Sequence, residues 1–197
     1  MTRHLTNLVV LALALGIFGC GGARPATPTE GRLTVERLYP MRAGSVWTYD
    51  VETGQGTPIL AITRVTTHEG ANVDISSGGD PIRYEVRPEG LYRSDREGFL
   101  LKPPFTKGAS WDAGGGATAE IVATDLSPAT MAGPFTQCIE VSETGGTGGK
   151  VVRTVYCPDV GPVEVESSMM MSLSGQTARV IARLRGYDFS GALATTP

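Results

Sequence analysis

Histidine is almost missing from this chain of 197 residues, where His4 and His68 are the two copies. That scarcity removes the commonest general base and metal ligand from most of its length. A Ser-His-Asp triad would have to use His68, and no Gly-x-Ser-x-Gly elbow presents a serine to it. No Asp-x-Asp-x-Asp-Gly loop offers calcium-site spacing, and the glycine-rich stretches at 114–116 and 145–149 lack the following Lys-Ser/Thr of a phosphate loop. Lys and Arg total 17 against 20 Asp and Glu, a net charge of −3 with no basic cluster, so nucleic acid is excluded as an expected partner. After residue 20 there is neither a long apolar run nor a sustained helical period, which argues against a spanning helix and against a helical bundle. These absences imply no cofactor and point to a non-enzymatic protein, with an envelope hydrolase as the weakest alternative.

What is present begins with an address. Residues 1–20 run from a polar start containing Arg3 and His4, through an apolar stretch at 8–18, to Gly19 and Cys20. This is the layout of an export signal. As a helix the apolar stretch would cover roughly 16 Å, about half of a bilayer's roughly 30 Å hydrocarbon core, so it reads as a signal and not as a permanent span. Its end, with Ile17 three before the cysteine and Gly19 just before it, resembles the bacterial lipobox. The resemblance implies cleavage before Cys20, a diacylglycerated Cys20 thiol and palmitate-type acylation of the new amino group. Each buried methylene contributes about 0.8 kcal/mol, so two or three chains make a stable membrane anchor. Gly21 stands where Asp would resemble an inner-membrane retention signal, which points to the outer membrane if the host has two membranes. The expected organisation is a signal at 1–19, a lipidated Cys20 with a flexible Gly, Ala, Pro and Thr tether over 20–31, one domain over 32–190 and a disordered tail at 191–197.

With Cys20 lipidated, Cys138 and Cys157 are left as an even pair in an oxidising compartment, where a disulfide is expected. They flank Gly145, Gly146, Thr147, Gly148 and Gly149, a turn-forming centre. A hairpin centred between Thr147 and Gly148 sets the two cysteines face to face. The same register puts Ile139 opposite Tyr156 and Val141 opposite Thr154 on an apolar face, with Glu140 diagonal to Arg153 on a polar one. A zinc site is excluded if these cysteines are bridged.

Elsewhere the chain reads as strand, turn, strand. Trp47, Tyr49 and Val51 alternate with polar neighbours, as do Ile82, Tyr84 and Val86, and turn residues separate such segments. The expectation is an all-β antiparallel domain: a curved sheet or open half-barrel built from two similar meander repeats, about 38–101 and 102–173. The repeat signature is Pro-x-x-x-Gly-x-x-Trp, at Pro40, Gly44 and Trp47 and again at Pro104, Gly108 and Trp111. Glycine permits the bend and tryptophan enters the core. The favoured reading makes both tryptophans core plugs. The other makes Trp47 and Trp111, with Met169 and Met171 of the Met-rich strand, the lining of an apolar ligand pocket.

Tyr39, Pro40, Met41, Gly44, Trp47 and Tyr49, then Gly108 and Trp111, then Gly133, Phe135, Cys138 and Val141, then Tyr156, Pro158, Val160, Gly161 and Val163 form a series of landmarks. Over residues 38–189 this series resembles a large group of bacterial lipoproteins. The resemblance implies the curved sheet or half-barrel of the LolA/LolB carrier type, although the lid helices of that type are not evident here. Expected partners are the membrane, through acyl chains on Cys20, and an envelope protein or lipid.

Overall fold

The computed structural model describes residues 32–54, 56–146, 149–170 and 177–190. The expected signal, Cys20, the tether, Met171 and the tail at 191–197 lie outside the described residues. Everything below concerns the compact unit Arg32–Pro197.

A single helical turn, α1 (Val35–Leu38), comes first. Thr34 caps it by accepting a hydrogen bond from the Arg37 N–H, and Pro40 follows immediately after Tyr39, where helix is disfavoured. Fourteen strands follow among the described residues: β1 (Val46–Glu52), β2 (Ile59–Glu69), β3 (Asn72–Ser76), β4 (Ile82–Arg87), β5 (Gly90–Arg93), β6 (Gly98–Leu101), β7 (Ser110–Gly114), β8 (Ala117–Leu126), β9 (Ala129–Thr130), β10 (Gly133–Pro134), β11 (Cys138–Gly145), β12 (Lys150–Cys157), β13 (Gly161–Met170) and β14 (Thr177–Asp188). Alternation sets their faces: in β8, Ala117, Ala119 and Ile121 are buried while Thr118 and Glu120 are exposed.

All but the small β9–β10 ladder join one antiparallel sheet of 12 strands in the order β6-β5-β4-β3-β2-β1-β14-β13-β12-β11-β8-β7. Main-sheet strands pair in chain order within β1–β6 and within β7–β14, and β14 returns to pair with β1. The two edges, β6 and β7, are thereby brought together, so the sheet forms a nearly closed barrel with a seam. The Trp111 indole N–H crosses the seam to the Phe99 carbonyl at 2.8 Å. Gly98 and Gly114 pack backbone against backbone there, and a Cβ on either would run into the other strand. Closure beyond a half-barrel has a physical advantage, since it leaves little unpaired edge for foreign strands.

The expected repeat is visible in its corners. Gly44 N–H donates to the Val65 carbonyl at 3.1 Å, and Val65 N–H returns a bond to the Ser45 carbonyl at 2.9 Å. In the second half, Gly108 N–H donates to Ile121 at 2.8 Å, and Ile121 N–H returns to Ala109 at 2.9 Å. Both glycines take a positive φ, 80° and 85°, which side chains strongly disfavour. Six strands precede the seam and six main-sheet strands follow it. The stretch 102–173 holds five of the latter, and β14 completes the set.

Because every pairing is antiparallel, the strand ends fall into two groups. One end, the base, gathers the start of β1, the β12–β13 turn, the end of β14 and the long connections at 102–109 and 127–137. The helix α1 belongs here: Leu38 is fully buried, Asp159 N–H donates to the Arg37 carbonyl, and the Arg37 guanidinium pairs with Asp159 at 2.6 Å. Trp47, fully buried, donates its indole N–H to the Val160 carbonyl at 2.7 Å and meets Tyr39 and Phe189 edge to face. Cys138 and Cys157 are bonded at this end, and the register expected for their hairpin is present, with Ile139 opposite Tyr156 and Val141 opposite Thr154. The other end, the mouth, includes the described turns at 77–81, 94–97 and 115–116.

Candidate functional site

The inward positions of the strands set what fills the barrel. Near the base these are Trp47, Leu184, Val163, Ile139 and Ile121, all closely packed. Toward the mouth the filling stops, and a half-open cavity of about 280 Å³ lies between the wall formed by β1 to β4 and the wall formed by β12 to β14. Its apolar lining includes Ala61, Ile75, Ile82, Leu100, Val165 and Ala182. Four tyrosines, Tyr39, Tyr49, Tyr84 and Tyr156, together with Thr63, Ser77 and Thr154, supply its polar atoms. No lining side chain carries a charge.

The hydroxyls divide into two kinds. Tyr49 donates to the Pro162 carbonyl at 2.9 Å, Thr63 and Ser77 bond each other at 2.8 Å, and Tyr156 is bonded to Thr154. Tyr39 and Tyr84, only 6% and 8% exposed, have no hydrogen-bond partner for their hydroxyls among the described residues. Nor are these oxygens sealed away, since Arg64 Nε is the one fully buried side-chain polar atom without a partner in the described set. They stand at the cavity surface. Open to water there, both hydroxyls would cost about 1–3 kcal/mol each if an occupant displaced that water without supplying acceptors of its own. Burial pushes the Tyr39, Tyr49, Tyr84 and Tyr156 hydroxyls upward from their ordinary pKa; neighbouring phenols reinforce the shift at Tyr39, and Glu143 followed by neighbouring phenols does so at Tyr156. All four therefore remain neutral groups at physiological pH.

A charged group stands beside this neutral cavity, on the seam side of the mouth. Arg93 holds Asp95 through two hydrogen bonds, 3.0 and 2.7 Å, and lies over the Tyr84 ring at 5.7 Å. Arg96 pairs with the buried Glu143 at 3.3 Å, and a separate hollow of about 210 Å³ is lined by these two with Lys150 and the glycines of the adjacent turns. Burial pushes the Glu143 carboxyl above its ordinary range, against the pull of Arg96, Arg93 and Lys150.

No family profile matches the chain, and no curated protein matches it. Two solved structures align with it. One is a Bacteroides fragilis protein of YmcC-like fold, named as exported, 13% identical with a TM-score of 0.47 over 78% of this chain and 99% of its own. The other is a Parabacteroides distasonis protein named as a lipoprotein, 14% identical with a TM-score of 0.48 over 77% of this chain and 98% of its own.

The residues singled out from the sequence fall in different places. Trp47 and Trp111 lie in the packed interior near the base, their N–H groups engaged by backbone carbonyls, and neither lines the cavity. Met169 sits near the end of β13 at the mouth, 43% exposed, while Met171 lies outside the described residues. His68 is exposed on β2 at the base, beside a groove that also holds Arg37, Arg42 and Asp159. The three or more His, Cys, Asp or Glu side chains of a metal site occur nowhere together among the described residues. Sequence reasoning missed the tyrosines as a group. Their signal was present, as tyrosine at inward positions of three separate strands and just after α1, but only closure of the sheet makes them neighbours.

Proposed function

We propose that this chain is a non-enzymatic lipoprotein of the bacterial cell envelope, anchored through acyl chains on Cys20 to the outer membrane of a host that has one, and that its barrel binds a small, largely apolar ligand. The single observation that carries the binding role is the half-open cavity between the sheet walls, lined by apolar side chains and by two tyrosine hydroxyls without partners. A purely structural module would gain by filling that space, since a void forfeits packing contacts. The cavity lies just below the roughly 300–1,000 Å³ typical of small-molecule sites, so it suits one compact molecule and is too small for the acyl chains of a whole lipoprotein. This distinguishes the reading from lipoprotein transport of the LolA/LolB type.

A second reading rests on a different observation. Around the mouth, Ile59, Leu60, Ile62, Met169, Met170 and Val180 are exposed apolar side chains, Met170 at 68%. Such a rim favours docking of another envelope component. Native mass spectrometry of the full chain purified from its own envelope discriminates the two: a bound species of a few hundred daltons supports the cavity, a bound protein supports the rim, and a bare chain under gentle conditions contradicts both. Anchoring is tested separately by palmitate labelling, which Cys20→Ser should abolish.

A further inference from the structure

The chemistry of the cavity narrows its occupant, and this step rests on the binding reading above. We propose that the cavity takes an uncharged ring compound that brings carbonyl or ether oxygens to the hydroxyls of Tyr39 and Tyr84. Three observations lead there. First, no charged side chain lines the space, so a carboxylate, phosphate or ammonium seated in it would lose its hydration without gaining a partner. Arg93, which lies over the Tyr84 ring at 5.7 Å, is committed to Asp95 through Nε and Nη2.

Second, the two free hydroxyls need acceptors. Tyr49, Thr63, Ser77, Thr154 and Tyr156 already have partners, whereas Tyr39 and Tyr84 do not, and both are more than nine-tenths buried. An acyl chain would leave these two unpaired. Third, the lining combines four phenol rings with short aliphatic groups, and such stiff walls suit a rigid ring better than a flexible chain, whose ordering costs more entropy on binding.

The test uses two probes of the same shape. Duroquinone carries two carbonyl groups on a tetramethyl ring, and durene is the same ring without them. Equilibrium dialysis of the purified full chain against each, corrected for probe held by the buffer alone, gives their dissociation constants. The expected result is duroquinone bound about tenfold more tightly than durene, because two neutral hydrogen bonds are formed to one probe only. The paired substitutions Tyr39→Phe and Tyr84→Phe keep both rings, and should bring duroquinone down to the durene level. Tyr187→Phe, an exposed tyrosine packed on Phe189 outside the cavity, should leave the ratio unchanged. Equal binding of both probes, or a ratio indifferent to the Tyr39 and Tyr84 changes, overturns this ligand class and leaves the cavity reading standing. Palmitate binding more tightly than duroquinone also overturns it. If neither ring probe binds, the binding reading falls and takes this inference with it.

Discussion

The two ends of the barrel are built on opposite plans. The base is filled and tied: α1 is held on the β12–β13 turn by Arg37 and Asp159, Trp47 fills the interior, and the Cys138–Cys157 bond joins two strands. The mouth has the turns at 77–81, 94–97 and 115–116, exposed Ile59 and Met170, and a cavity in which the Tyr39 and Tyr84 hydroxyls have no partner among the described residues. Packing and cross-links are thus concentrated where the chain enters the domain, and open space is concentrated toward the far end. A protein whose task is to hold its shape needs the first arrangement only. Having both fits the proposal that one end keeps the shape and the other receives a ligand.

The contrast can be broken by substitution. Trp47→Ala removes a fully buried side chain at the base and leaves the Val160 carbonyl without its indole donor, so it should cost about 3–5 kcal/mol in urea unfolding. Met169→Ala at the mouth should stay within about 0.5 kcal/mol, and comparable losses at the two positions would contradict the division. Next in size is the disulfide. Its sequence separation of 19 gives roughly 3 kcal/mol on the loop-entropy model, which the Cys138→Ala, Cys157→Ala double variant should lose. A variant that unfolds at the same urea concentration as the parent would show the hairpin to be ordered without it. Gly161→Ala follows, at about 1–3 kcal/mol, because residue 161 has φ of 105° and an added Cβ would sit 3.0 Å from Trp47 Nε1.

The smallest effect is electrostatic and has opposite signs at the two ends. Burial raises Glu143 at the mouth, so between its ordinary 4.5 and its higher folded value the native state holds a proton that the unfolded chain has released. That contribution makes stability rise as pH falls through the window. Asp159 at the base is lowered by Arg37, so its contribution is present above the ordinary 3.8 and is lost as pH falls through its folded value. Thermal unfolding across acid pH should therefore lose part of its rise in Glu143→Gln and part of its fall in Asp159→Asn. Identical profiles for the two variants would remove the electrostatic half of the comparison.

Local features were readable from the sequence because they depend on near neighbours. The β11–β12 register follows from a glycine-rich turn and alternation, and the diagonal pair Glu140 and Arg153 stands at 3.8 Å. The Pro-x-x-x-Gly-x-x-Trp corners were equally legible, since each fixes its own bend. The cavity was not. Tyr39, Tyr49, Tyr84 and Tyr156 come from α1's end, β1, β4 and β12, and alternation says only that three of them point to the same face of a sheet. Whether that face becomes a filled core or a lined space depends on how far twelve strands curl, which is a sum over every pairing and bulge. The same limit explains why the tryptophans and Met169 were natural pocket candidates: size and flexibility can be read from letters, while depth along a barrel cannot.

The most direct test of the division between a tied base and a receiving mouth is methyl NMR of the full chain during titration with durene or duroquinone. The account predicts shifts at Ala61, Ile75, Ile82, Val165 and Ala182, which line the cavity, with Leu38 and Ile121 unmoved. Shifts centred on the base methyls, or none anywhere at saturating probe, would contradict it.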